Sequence, residues 1–117
     1  MAGFLRDSPG AVEYSYNLAR MRYEILLAPQ AVEDLNRLRT NIRSEVRDAL
    51  ESHLRHQPRK PSRSRIKRLK GITKPQYRLR VGGVRVFYDV SEDSVEVLAI
   101  LEKKEVSEWL ERSGRRG

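Results

Sequence analysis

Tyr77, Leu79 and Val81 alternate with Arg78 and Arg80, and Val84, Val86 and Tyr88 alternate with Arg85 and Phe87, on either side of a Gly82-Gly83 pair. A period of two marks a strand with one buried face. A two-residue glycine loop suits a tight antiparallel hairpin, because glycine accepts positive φ without steric cost. The pattern therefore predicts a hairpin with a greasy inner face and an outer face that carries three arginines. If the turn joins Val81 to Val84, Arg80 lies opposite Arg85 and points the same way. Opposed like charges destabilise a hairpin by a few tenths to about 1 kcal/mol. A purely structural sheet has little reason to hold three arginines together without an acid. Phosphate groups would offset the repulsion through bidentate hydrogen bonds. The plain alternative is a solvated cationic face screened by salt.

The charge around this hairpin is uneven along the chain. Residues 55–88 hold twelve of the 24 Lys and Arg residues and no Asp or Glu. The net charge of +8 is thus a strongly basic segment set in an acidic remainder. A concentrated positive field of this kind points to a phosphate-bearing partner. Lys67, Arg68 and Lys70 lie where they would rim such a site and attract backbone phosphate without choosing sequence. Lys103 and Lys104 follow the last strand and are candidates to lean over the same face. Lysines at a helix start oppose its dipole, a weak sign of another role.

The rest of the chain reads as one domain, since 117 residues suffice for a single core. Residues 1–20 are expected to be a leader, a tag or an upstream extension, with a short helix after Pro9-Gly10 and Met21 as a natural start. Residues 21–112 form the domain, and residues 113–117 a frayed tail. A half-buried strand is predicted around Tyr23, Ile25 and Leu27. Pro29 opens a helix whose stripe is Ala31, Leu35, Leu38 and Ile42, with Glu33, Asp34, Arg37 and Arg39 turned away. Thr40 or Asn41 is expected to cap a second helix with Ile42, Val46, Ala49 or Leu50, and His53 or Leu54 on its packing face. Pro58 and Pro61 make residues 56–64 a basic linker. A short strand is expected around Lys67 to Lys70. After the hairpin, Val95 to Leu101 reads as an apolar strand central to the sheet. Residues 103–112 read as a closing helix that packs through Val106, Trp109 and Leu110. The fold class is α+β: an N-terminal helical hairpin on one face of an antiparallel or mixed sheet of about four strands, with a short C-terminal helix.

Several chemistries find no support in these residues. The chain has no cysteine, which removes disulfides and thiolate metal sites and fits a reducing cytoplasm. No apolar run approaches the roughly 20 residues that span a bilayer. Arg6, Asp7, Pro9, Gly10 and Glu13 interrupt any signal-peptide core. A cytoplasmic protein without membrane, metal or cofactor is expected. His53 and His56 are the only histidines, and they read as residues of a helix and a linker rather than as catalysts. Gly82-Gly83 has no following helix with Lys-Ser or Lys-Thr, so it is no phosphate loop. Trp109 reads as a packing residue, and Tyr77 and Tyr88 fall on the inward face.

The order of elements, with Ile66-Lys67-Arg68-Leu69-Lys70-Gly71, Tyr77-Arg78-Leu79-Arg80-Val81 and Gly83-Val84-Arg85-Val86-Phe87-Tyr88, resembles the RelE/ParE superfamily of bacterial toxins. The resemblance runs from about Met21 to Leu110. It implies a toxin of a type II toxin-antitoxin pair, bound and inhibited by an acidic antitoxin in a hetero-oligomer. RelE-like members cut mRNA in the ribosome: the ribose 2′-hydroxyl attacks the adjacent phosphate and the 5′-oxygen leaves. By motif position, Arg85 matches the arginine that stabilises the transition state, and Arg78 and Arg80 match basic strand residues that are often lysines. Lys103 and Lys104 fall near a basic pair, one member of which helps protonate the leaving group. Two positions depart from the family. Arg80 is a poor base with a pKa above about 12. The C-terminal tyrosine has no counterpart, since Ser107 or Leu110 stands in its place.

The resemblance therefore implies a metal-independent, ribosome-dependent mRNA endoribonuclease, with Arg85, Arg80, Arg78 and Lys104 catalytic. Lys67, Arg68, Lys70, Arg78 and Lys103 would bind RNA. The alternatives are a ParE-like inhibitor of DNA gyrase without nuclease activity, and a degenerate toxin kept as a binding module.

Overall fold

In the structure, a computed structural model that describes residues 22–117, the first strand β1 (Glu24–Leu27) ends at Ala28-Pro29. The expected leader, residues 1–20, with its short helix, lies outside the described residues. Pro29 takes the first position of α1 (Pro29–Arg37), where a missing N–H is harmless. Leu38 and Arg39, both extended, link α1 to α2 (Thr40–Leu54). Neither Thr40 nor Asn41 caps that helix. Thr40 is its first residue, and Arg39 stands at the N-cap without a side-chain bond.

Five strands make the main sheet, in the order β1, β6, β5, β4, β2. They are β2 (Ile66–Arg68), β4 (Tyr77–Val81), β5 (Val84–Val90) and β6 (Ser94–Glu102), with β1 at one edge. β1 runs parallel to β6 and the other pairs are antiparallel, so the sheet is mixed. The short strand expected from Lys67 to Lys70 begins at Ile66 and supplies the fifth strand at the edge. The apolar strand β6 is interior but not the middle one. It lies between β1 and β5, and β5 is central. After β6 come a 3-10 turn (Lys103–Glu105) and α3 (Val106–Ser113). The tail does not hang free: β7 (Arg115–Arg116) pairs with β3 (Ile72–Lys74) in a small second ladder.

The helical hairpin covers one face of the sheet. Ala31 and Leu35 of α1 and Val46, Leu50 and Leu54 of α2 pack with Leu79, Val86, Tyr88, Val95 and Val97 in the main core. Tyr77 and Tyr88 stand opposite each other and stack with ring centroids 5.4 Å apart. Burial, and then the neighbouring Tyr77, raise the pKa of the Tyr88 hydroxyl well above its ordinary value. That hydroxyl donates to the Pro58 carbonyl at 2.8 Å and so ties the basic linker to the core. Tyr88→Phe is expected to lower stability by about 1 kcal/mol in urea denaturation. It should also make the linker more sensitive to proteolysis, and an unchanged cleavage rate there would contradict the anchoring role.

The opposite face is not uniformly polar. Phe87, Ala99 and Leu101 form a second, smaller core under Trp109 of α3, with Val106 and Leu110 beside it. α3 closes one part of this face and leaves the arginine hairpin uncovered. Among the described residues no helix is long and apolar enough to cross a membrane.

One charged residue departs from the expected pattern. Asp34 is turned inward and 2% exposed. β1 pairs with β6 only as far as Val97, so β6 continues past it with an open edge. The Ile100 N–H on that edge donates to Asp34 Oδ2 at 2.9 Å. A carboxylate from α1 thus takes the place of a missing strand.

Candidate functional site

The glycine turn sets the geometry of the arginines. Gly82 has φ +57°, a left-handed conformation that side chains rarely adopt, and Val81 pairs with Val84. Arg80 is therefore opposite Arg85, as the alternation requires. Arg78 lies two residues from Arg80 on the same face, and Lys67 of β2 lies opposite Arg78. Four cations thus share one ladder. Arg80 is exposed, while Arg78 and Arg85 are partly buried.

Each arginine is held differently. Arg85 Nη1 donates to the carbonyls of Gly82 at 2.8 Å and Val84 at 3.2 Å, which folds its guanidinium back over the turn. Arg78 Nε is buried with no hydrogen-bond partner. Burial, then the charges of Arg85 and Arg80, lower the pKa of the Arg78 guanidinium below its ordinary value. The three side chains therefore feel one another.

Acids of this chain pair with other cations. Arg55 pairs with Glu51, and Lys74 meets Asp89 at 3.1 Å. Among the described residues no carboxylate forms an ion pair with Arg78, Arg80, Arg85 or Lys67. An anion with several acceptor oxygens fits such a ladder better than water does, because charge-assisted forks bond planar oxyanions in pairs.

Not every candidate residue joins it. Arg68 is opposite Tyr77 and stacks its guanidinium over that ring at 5.1 Å, on the side of the helical hairpin. Adjacent residues of a strand face opposite ways, so Lys67 and Arg68 cannot share a face. Lys70 is exposed between β2 and β3. Lys103 and Lys104 line a hollow of about 450 Å³ at the end of the sheet, floored by Leu38, Ile42, Val81 and Val84. Arg37 and Arg39 share its rim with Glu45 and Glu102. Lys103 donates its backbone N–H to Gly83, and Lys104 Nζ is 3.7 Å from Glu102. The dipole problem at these lysines is answered locally. Glu102 and Glu105 form a capping box around the 3-10 turn.

Trp109 is a packing residue, 5% exposed, with its ring 5.2 Å from Phe87. Its indole N–H donates to Gln30 Oε1 at 3.2 Å. It offers no free ring on which a base could stack.

Arg65 is a member of this neighbourhood that the sequence pattern did not single out. It precedes β2, and its carbonyl accepts the Arg80 N–H at 2.9 Å, so its backbone adjoins the ladder. The signal was present: Arg65 and Lys67 flank Ile66 at the strand period. His53 and His56 also come together, in a separate hollow of about 350 Å³ that Arg65 lines as well. Among the described residues no group of three or more His, Asp or Glu is placed to hold a metal ion.

Comparison with known proteins gives this arrangement a context. Residues 25–106 match the family described as the ParE toxin of the type II toxin-antitoxin system parDE. No curated protein sequence matches the chain significantly. The fold is similar to a chain of the RelB-RelE antitoxin-toxin complex from Methanococcus jannaschii, with 25% identity and a TM-score of 0.57. That match covers 72% of this chain and 96% of the other. A chain of the toxin-antitoxin complex RelBE2 from Mycobacterium tuberculosis matches at 23% identity and a TM-score of 0.55, over 71% of this chain and all of the other. The YoeB dimer from Staphylococcus aureus matches at 20% identity and a TM-score of 0.52, over 67% and 93%. The last two likenesses bear on the fold alone.

Proposed function

The chain belongs to the family of ParE toxins of type II toxin-antitoxin systems, within the RelE/ParE superfamily, and we propose that its arginine ladder cuts ribosome-bound mRNA and so inhibits translation. The observation that carries this reading is Arg80 opposite Arg85, beside Arg78 and with no carboxylate partner among the described residues. In the reaction a bond forms from the 2′-oxygen to the adjacent phosphorus, and the bond from phosphorus to the 5′-oxygen breaks. One fragment keeps a 2′,3′-cyclic phosphate and the other a 5′-hydroxyl. The nucleophile loses a proton and the leaving oxygen gains one.

The pentacoordinate phosphorus gathers negative charge on its oxygens, where preorganised cations stabilise it most. Arg85, fixed to the turn, is assigned that role, and Arg80 and Arg78 bind and orient the phosphate. Arginine does not release its proton near neutral pH, so the ladder supplies charge and positioning rather than a base. Lys104 is the candidate proton donor to the leaving oxygen. It would have to swing from its contact with Glu102 to reach the ladder.

Gyrase inhibition without nuclease activity is the second reading. It is favoured by the family match, and by the ladder itself, where Lys67, Arg78, Arg80 and Arg85 supply charge but no general base. Two assays separate the readings. Purified protein is incubated with mRNA, with and without ribosomes, and 5′ ends are mapped by primer extension. DNA supercoiling by gyrase is followed in parallel. Ribosome-dependent cuts support the first reading. Intact mRNA with blocked supercoiling supports the second.

An acidic antitoxin segment is the proposed protein partner. The RelB-RelE and RelBE2 structures are complexes of this kind. The hollow rimmed by Arg37, Arg39, Lys103 and Lys104 over an apolar floor suits an amphipathic acidic helix.

A further inference from the structure

The hollow at the C-terminal end of α2 gathers both histidines of the chain with Lys60 and Arg65, and among the described residues no carboxylate lines it. Its wall is built rather than loose. Ser62 Oγ accepts the N–H groups of Arg65 at 3.1 Å and Ile66 at 3.0 Å, and the Ser62 N–H returns to the Ile66 carbonyl at 2.9 Å. This double clasp fixes the approach to β2 and presents Arg65. The Arg65 guanidinium then lies 3.3 Å from His53 Nε2. Guanidinium can only donate, so this contact is a hydrogen bond only with the His53 tautomer that keeps a lone pair on Nε2. Arg65 is also the backbone neighbour of Arg80. The hollow and the ladder are thus joined through the backbone of one residue, Arg65.

We propose that this hollow binds a phosphate of the same RNA strand whose other phosphates lie on Arg78, Arg80 and Arg85, so that the interface turns round the β2 edge. The inference rests on the proposed RNA reading and adds a second contact to it. Its volume of about 350 Å³ admits a phosphate with part of its sugar. Lys60 and Arg65 supply permanent charge, and the Ser52 hydroxyl at the rim can add a further donor.

His53 makes this contact pH-dependent. Burial first, and then Arg65, lower the His53 pKa below its ordinary value. In the free protein a protonated His53 would face Arg65 directly. A phosphate between them removes that conflict and favours the imidazolium, so by linkage RNA affinity rises as pH falls. The groups that face the pair are Ser52 on α2, Lys60 and Ser62 in the linker, and Arg65 beside β2. Glu51, the carboxylate that senses His56, is held by Arg55.

The test uses the full chain and a fluorescent single-stranded RNA of roughly 12 nucleotides, within the site sizes of such binders. Anisotropy is followed against salt and pH, with the fold of each variant checked by circular dichroism. For Lys60→Ala/Arg65→Ala the slope of log affinity against log salt is expected to fall by roughly 1.4, about 0.7 for each cation that no longer neutralises a phosphate. Wild-type affinity should rise several-fold from about pH 7.5 to 5.5, and His53→Ala should abolish that rise. An unchanged slope in folded Lys60→Ala/Arg65→Ala, with a reduced slope in Arg78→Ala/Arg80→Ala, would overturn the second site and leave the ladder standing. Failure of the wild-type protein to bind this RNA would overturn the second site, and the ribosome-dependent cleavage assay decides the reading it rests on.

Discussion

Arg85→Ala is expected to reduce ribosome-dependent mRNA cleavage by roughly 100-fold or more, as for loss of one preorganised donor to a transition-state oxyanion. The expectation comes from how Arg85 is held. Its guanidinium is tied to the carbonyls of Gly82 and Val84, so little ordering remains when the phosphate arrives. Stability should move the other way or not at all. Removing one of two opposed arginines relieves a repulsion of a few tenths to about 1 kcal/mol. The ladder from Tyr77–Tyr88 to Val81–Val84 holds the hairpin without that side chain. Lost activity in a protein of equal or higher stability is thus the signature of a functional residue. Arg85→Lys keeps the charge but loses the fork, and an intermediate loss of about 10-fold is expected. Single-turnover cleavage and urea denaturation on the same preparations decide the matter. Wild-type rates in folded Arg85→Ala would remove Arg85 from the site.

The register that makes this prediction possible was legible in the sequence. A strand period of two on both sides of two glycines leaves one economical pairing, and Arg80 opposite Arg85 follows from it. The helical period showed Ala31 and Leu35 of α1 and Val46, Leu50 and Leu54 of α2, but not the end of α1 at Arg37, which leaves Leu38 in the link and Ile42 in α2. What could not be read were features that depend on which elements become neighbours. Lys67 and Arg68 are adjacent cations of one basic run, yet β2 pairing sends them to opposite faces. The second core under Trp109 exists because α3 folds back over Phe87, Ala99 and Leu101. Lys103 and Lys104 were expected over the arginine face because they follow the last strand, whereas the end of β6 carries them to the hollow beside α1 and α2. The tail, expected to fray, pairs with β3.

Asp34 shows the same limit inside one helix. Its spacing from Ala31 and Leu35 puts it on the buried stripe, but a carboxylate argues against burial unless an exposed donor awaits it. That donor arises only because β6 outlasts β1, a fact of topology. Asp34→Ala is accordingly expected to destabilise the fold by about 3 kcal/mol. The change would leave the Ile100 N–H buried and unpaired and would release Gln30, which reaches Asp34 at 3.3 Å and also holds Trp109. For a domain of this size that loss corresponds to a fall in Tm of roughly 10 to 20 °C.

Asp34→Asn separates charge from hydrogen bonding. The amide oxygen can still accept from Ile100, and the ion pair it gives up involves Arg37, whose side chain is 67% exposed. Such a pair contributes at most about 1 kcal/mol, so the asparagine variant should lie much nearer the wild type than the alanine one. Because Gln30 links this carboxylate to Trp109, Asp34→Ala should also loosen α3 over Phe87, seen as faster amide exchange through residues 106–113. Equal stability of Asp34→Ala and wild type in denaturant would show that water or a shifted α1 satisfies the open edge of β6. Comparable losses in the alanine and asparagine variants would instead assign the effect to the charge.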